Sequence, residues 1–451
     1  MVDVAVTTEP EQTPGVRFRP PSIVRGGVEA IAARVLELIC HAAVIIVTAR
    51  LMGPAGRGLY ALASLTAVLC ALPLGSVWSA NAIEVARRRT PLPELLGASV
   101  VIAFVGGIAT MLVAFAVATF VGDLWWVIAY PAATAPLILF ARYGEGLYQA
   151  LGHVRAVNAI TVGRVLLPLM LVTPPLVAGA EARTAIAIWT LWLVLLPALM
   201  YLPLRRVVGG QQLPAERGLY RRLVTTGAKL SVANMALMMS PRIALIALAV
   251  FSGEAAVGVY SLAVAAGDLL YLTTNSLVSA TFQGIASRDR DASTALAARS
   301  IRHAILLAVV VGLLTVPAVA LFLPAVVGEG FDDVPLALVI LLPGVVGLSS
   351  YWVLHTFFAV QLGRPAIVTR IAVVTLVVNT VLCLALVPPF GLWGAAIATT
   401  VANLVSAALS FHRFRELSSV GFRALLPGRA EVRDYAALTR TALARVKRAR
   451  S

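Results

Sequence analysis

Four ionisable side chains fall near the middle of long apolar stretches: Glu37, Arg164, Arg242 and Asp268. A fifth, Arg34, lies one turn from Glu37. Charge at the centre of a bilayer is unfavourable, so such residues default to substrate or ion pathways. Arginine stays charged and presents a planar fork of donors that matches two oxygens of a phosphate. Arg34, Arg164 and Arg242 could therefore hold an anionic head group. Glu37 and Asp268 could neutralise those arginines or bind a coupling proton or cation. Competing structural readings exist. Arg34 and Glu37 are spaced i,i+3 and can simply pair. Arg242 and Asp268 can form a buried lock. Arg164 has no obvious partner within its own span.

The elements that carry these charges read as membrane helices. Hydrophobic residues make up 60% of the 451 and charged residues 13%, against roughly 25% charged in a soluble domain. Mean hydropathy is +0.91. Twelve apolar stretches approach or exceed the roughly 18 residues that suggest a span. They cover 27–49, 59–83, 95–121, 124–146, 156–178, 184–204, 228–251, 258–283, 303–326, 334–361, 367–388 and 391–412. The expected class is all-α and polytopic.

The net charge of +15 is explained by topology rather than by nucleic acid. With twelve spans and an inside N-terminus, 30 of the 36 Lys and Arg residues fall on one side, Arg142 among them. Arg50, Arg57 and Arg183 fall on the other side, and three lie within spans. That bias predicts cytoplasmic termini. Residues 1–25 lack the apolar core of a signal peptide and read as a cytoplasmic tail. Beyond Pro427, Val432, Tyr435, Leu438, Ala442 and Val446 recur at helical spacing between basic residues. This reads either as an amphipathic helix on the anionic inner leaflet or as a disordered basic tail.

One block occurs twice. Gly53 to Ala63 and Gly253 to Ala263 both read G-x4-G-x-Y-x-L-A. Leu151-Gly152 and Leu362-Gly363 repeat in the same order, as do Pro174-Pro175 and Pro388-Pro389. An even number of spans separates each pair, so the copies are parallel repeats, a common carrier design. The expected division is tail 1–25, first lobe 26–205, linker 206–227, second lobe 228–413 and basic tail 414–451. The binding site then lies in a central cavity between two six-helix lobes.

Several of these residues resemble a known family. The string Ala49-Arg50-Leu51-Met52-Gly53-Pro54 with Gly58-Leu59-Tyr60 is similar to the first-loop signature of bacterial polysaccharide (Wzx-type) flippases. These belong to the superfamily of multidrug, oligosaccharidyl-lipid and polysaccharide exporters. The runs from Ser252 to Ala263 and from Pro388 to Ala396 resemble it too. The resemblance implies alternating-access transport of a lipid-linked (prenyl-pyrophosphate) oligosaccharide or polysaccharide repeat unit across a bacterial cytoplasmic membrane. It implies a cavity lined by the first, second, seventh and eighth helices. Arg34, Arg164 and Arg242 then hold the pyrophosphate. His41, Asn234, Asn275 and Gln283 would give the sugars a polar surface, or pack helices by hydrogen bonding. Family members often carry an acid two positions after the arginine of the seventh helix, whereas Ile243 and Ala244 follow Arg242.

Other chemistries lack their residues. No G-x4-G-K-[ST] predicts an ATP site. Five scattered histidines and three lone cysteines give no metal spacing and no disulfide framework. Neither an enzyme nor a cofactor is expected. A glycan polymerase or ligase would need a large extracytoplasmic loop, and the longest, near 324–334, is short. A cation-coupled multidrug exporter on the same architecture is the main alternative. The expected partners are the lipid-linked glycan, membrane lipids, including an anionic inner leaflet, and glycan assembly enzymes. The expected state is a monomer.

Overall fold

A computed structural model describes residues 23–87, 90–208, 215–287, 289–418, 420–428, 431 and 433. Every regular element among them is helical. The first tail and most of the 432–446 amphipathic pattern lie outside the described residues.

The described residues form twelve α-helices: α1 (Ile23–Ala71), α2 (Val77–Arg87), α3 (Leu92–Ala118), α4 (Trp125–Ala133), α5 (Ala135–Ala150) and α6 (Val154–Val177), then α7 (Ala182–Val208), α8 (Arg217–Phe251), α9 (Gly253–Ser287), α10 (Arg290–Val327), α11 (Val334–Thr356) and α12 (Pro365–Ser418). Nine described helices are long and apolar enough to cross a membrane. Two of these are bent hairpins. α1 folds back at Gly53 and α12 at Gly391, so each crosses twice. The 35-residue α8 supplies one more crossing, for twelve in all. The fourth crossing is α4 followed by α5, and α2 continues the second.

Backbone geometry explains the repeat. Gly53 has φ 66° and ψ −175°, a region that is essentially glycine's alone. Its counterpart Gly253 has φ 81°. Gly152 and Gly363, the glycines of the two Leu-Gly pairs, have φ 73° and 61°. The duplicated signals are therefore duplicated helix ends, where a side chain would strain the turn.

Helix lengths exceed the apolar runs at one end. α10 has 38 residues, about 57 Å at 1.5 Å per residue, against roughly 30 Å of hydrocarbon. The excess of α8 and α10 carries Arg217, Arg221, Arg222, Arg290, Arg299 and Arg302. We call this the basic end and the other the Gly53 end. The first apolar residues set the predicted starts at 228 and 303, whereas helix formation begins at 217 and 290 because polar residues continue a helix freely into water.

Three prolines within the apolar stretches behave differently. Pro73 lies in the break between α1 and α2, whereas Pro241 and Pro343 sit within continuous helices. A second break follows Ala133, where α4 ends two residues past Pro131; there the Thr134 hydroxyl donates to the Pro131 carbonyl at 2.8 Å.

Packing places one core in each repeat and one between them. Leu95, Leu139, Tyr143 and Leu204 pack together in the first repeat and take in Leu219 and Leu223 of α8. Phe357, Phe414 and Leu425 do so at the basic end of the second. The third core joins Ala49 of the first repeat to Val257, Tyr260 and Leu341 of the second. Large apolar side chains such as Leu314 and Phe322 face outward, as a lipid-facing surface requires.

Candidate functional site between the repeats

The duplicated blocks meet each other at the Gly53 end. A Cβ on Gly58 would lie 1.8 Å from the Glu254 carbonyl oxygen, and one on Gly258 would lie 2.0 Å from that of Pro54. The contact is reciprocal, as a pseudo-twofold axis demands. Only glycine permits two backbones to approach this closely. Arg50 adds a second tie, donating to the carbonyls of Ala325 and Val326 at 2.8 and 3.0 Å.

A separate seam closes the basic end. α2 packs on α8, with Gly227 flush against Val77. The Ser76 amide donates to Ser231 Oγ at 3.3 Å. Arg222 Nε lies 3.4 Å from Glu84 Oε1, and the buried Glu84 also accepts from Thr90 at 3.1 Å. A cavity of about 230 Å³ opens beside this pair.

Between the two seams the structure gathers charge from both repeats. On α6, Arg164 ion-pairs with Glu145 of α5. Arg142, one turn from Glu145, lies within reach of the charges of Glu145 and Arg164. Arg242 of α8 in turn feels Asp268 of α9 and Arg142. Arg142 and Asp268 are both solvent-accessible. Arg142 thus shares electrostatic reach with Arg164 of its own repeat and Arg242 of the other.

The other expected residues stand elsewhere. Arg34 pairs with Glu37 at 2.7 Å and is largely exposed. His41 lies on the same side of α1, within reach of Glu37 and Arg57. No described contact links this group to Arg142, Arg164 or Arg242. Arg242 and Asp268 are neighbours without an ion-pair contact among the described residues, and Arg242 donates to the Met238 carbonyl of its own helix. The side chains of Asn234, Asn275 and Gln283 lie outside what is described.

Three residues escaped the sequence reading. Arg142 was counted with the basic loops, yet α5 runs through it to Ala150. It and Glu145 fall at the end of the apolar stretch 124–146, too near its edge for the mid-depth rule that picked out Arg164. Arg57 was placed in a loop. It is 7% exposed, donates to Thr48 Oγ1 at 3.1 Å and lies over the Tyr60 ring.

This architecture has solved counterparts. An inward-facing multidrug resistance MATE family transporter of the MOP superfamily matches with TM-score 0.66 and 16% identity, over 87% of this chain and 98% of that one. The lipid II flippase MurJ, in an inward closed conformation, matches with TM-score 0.71 and 10% identity, over 88% and 90%. A MOP superfamily transporter from Pyrococcus furiosus matches with TM-score 0.55 and 17% identity, over 88% and 95%. Its binding pocket is described as reversed in polarity, suggesting a different function. No protein-family model and no curated protein matches the sequence. The chain is thus a multi-pass membrane protein with the fold of MOP superfamily transporters and flippases.

Proposed function

We propose that the protein is a flippase that moves a lipid-linked oligosaccharide or polysaccharide repeat unit, borne on a prenyl pyrophosphate, from the inner to the outer leaflet. One observation supports this reading: Arg142 lies within electrostatic reach of Arg164 in its own repeat and of Arg242 in the other. Each guanidinium can grip phosphate oxygens bidentately. Their number exceeds that of the two nearby carboxylates, so the site favours an anion. The membrane is the bacterial cytoplasmic one, with the basic end and both termini in the cytoplasm, as the charge bias requires. The lobes are 26–205 and 228–413, joined by 206–227. The basic residues beyond Pro427 suit the anionic inner leaflet.

A second reading draws on Asp268 and Glu37. Carboxylates inside spans suit a cation-coupled exporter of small amphipathic drugs, and the fold serves both functions. Mass spectrometry of lipid extracts from cells depleted of the protein separates the two. Accumulation of a prenyl-pyrophosphate glycan supports the flippase and names its cargo. An unchanged lipid-linked glycan pool makes the exporter the better reading. For either, a transport rate indifferent to pH, sodium and membrane potential would remove Asp268 and Glu37 as coupling sites.

A further inference from the structure

The first repeat buries a cation that the second repeat does without. In the duplicated block Arg57 stands where the second copy has Val257, and Thr48, to which it donates, stands where that copy has Leu248. Val257 and Leu248 are fully buried in an apolar core. Hydrocarbon therefore satisfies the fold at this helix end, and the guanidinium is an addition to it. Arg57 is buried as well, and a buried charge with no opposite charge beside it is strongly unfavourable. Arg57 makes no ion pair among the described residues. Glu37, about three turns from Thr48 on the same face of α1, is taken by Arg34.

Two donors at this place lack acceptors among the described residues. Arg57 Nε is buried with no hydrogen-bond partner. The Tyr60 hydroxyl makes no hydrogen bond either, whereas its counterpart Tyr260 bonds Thr399 Oγ1 at 2.8 Å. Thr48 offers only its oxygen lone pair, because its hydroxyl hydrogen is directed at the carbonyls of Val44 and Ile45, 2.7 and 3.1 Å away. Thr48 and Tyr60, the two groups that Arg57 touches, both line a small cavity between the arms of α1 and α6, with Val44, Val47, Pro168 and Val172. Its volume of about 10 Å³ is that of one solvent-sized particle.

We propose that this cavity is a site for one monatomic anion, a halide, with Arg57 Nε and the Tyr60 hydroxyl as its donors. A water molecule there would satisfy the donors and leave the charge of Arg57 uncompensated, whereas a halide does both. Phosphates and sugars are too large for the space. Val47 and Thr173 in the wall are partly exposed and can yield the small distance by which a chloride exceeds a water. The apolar remainder of the wall favours an anion that sheds its water at low cost, so chloride and bromide bind and fluoride does not. The anion ties the two arms of α1 to each other and to α6. Val257 and Leu248 give the second repeat no such site. The inference is independent of the cargo and of Arg142, Arg164 and Arg242.

The test uses the purified full chain in detergent, with gluconate replacing chloride at constant ionic strength. Titration with chloride or bromide should raise the thermal unfolding midpoint by about 3 °C and then level off, and fluoride should not raise it. Arg57→Val, which copies the second repeat, should gain nothing from halide and in gluconate should unfold no lower than the parent. Tyr60→Phe keeps the cation and should need several-fold more halide for the same rise. Crystals grown in bromide should give an anomalous peak beside Arg57 Nε. A parent midpoint indifferent to halide, or one that rises equally with fluoride, overturns the site. So does an Arg57→Val protein that keeps the rise, or bromide found only elsewhere. If Arg57→Val does not yield monodisperse protein, the halide series on the parent and the bromide peak decide.

Discussion

At the scale of single residues, the question is whether an intramembrane arginine grips cargo or locks helices. Arg164 poses it most sharply, because Glu145 already pairs with it. Removing one partner of such a pair leaves the other as an uncompensated charge. Arg164→Ala should therefore lower the amount of protein in the membrane. Arg164→Ala combined with Glu145→Gln should restore the amount on an immunoblot while transport stays lost. Transport by the double variant would make Arg164 a lock alone. A second pair lies outside the membrane. Arg302 holds Glu431, which also accepts from the Gly428 amide at 2.9 Å. Those bonds to Arg302 and then to the amide pull the Glu431 carboxylate down to about 2, below the roughly 4.3 of an unfolded chain. A depressed folded value stabilises docking above the unfolded pKa and loses it as pH falls from about 4 towards 2. Docking of the 421–433 segment should thus be constant between pH 5 and 8. Glu431→Gln should release it at neutral pH, read as several-fold faster tryptic cleavage after Arg433. Cleavage at the parent rate would mean that Leu425, fully buried, holds the segment unaided.

At the scale of elements, the helix ends do the organising. Twelve crossings were legible because each apolar run is long, and the repeat was legible because a left-handed turn demands glycine locally. Both are properties of neighbouring residues. What stayed hidden depends on contacts between distant ones. Glu145 meets Arg164 only because α5 and α6 fold back on each other. Arg142 looked like a loop charge because α5 continues past the point where hydrophobicity ends. The reciprocal contact of Gly58 and Gly258 was written twice in the sequence, yet that the two copies touch is a fact of the assembled bundle. It yields a direct expectation. Gly258→Val places carbon atoms where the Pro54 carbonyl stands, so the repeats must part at the Gly53 end. With His41→Cys on α1 as a reporter, an impermeant maleimide should label that position from the Gly53 end roughly tenfold faster, a shift of about 1.4 kcal/mol in the opening equilibrium. Unchanged labelling would mean that the two hairpins yield locally rather than transmit the wedge.

At the scale of the whole molecule, the two seams differ in kind, and the difference says which one moves more easily. The Gly53 end is closed by backbone against backbone and by a shared apolar core. The basic end, among the described residues, is closed by one amide-to-hydroxyl bond, one glycine contact, the pair Arg222–Glu84, whose arginine is half exposed, and the apolar side chains of Leu219 and Leu223 packed into the first repeat's core. A half-exposed ion pair contributes on the order of 1 kcal/mol, about fivefold in an opening equilibrium. Carriers that alternate access need at least one end poised in this way, since a seam locked by many buried contacts would stall the cycle. Ser231 is 2% exposed in the closed seam, so a cysteine there reports opening. Glu84→Gln should raise the maleimide labelling rate of Ser231→Cys roughly fivefold, following the same surface-pair magnitude. Exchanging the charges, with Glu84→Arg and Arg222→Glu together, should bring the rate back towards the parent, because the attraction is restored with its sign reversed on each repeat. Rates that rise equally in the single and exchanged variants would show that Glu84 acts through its bond from Thr90 rather than through Arg222. The basic end would then be held by the glycine contact and the Ser76–Ser231 bond, and opening would be set by packing rather than by charge.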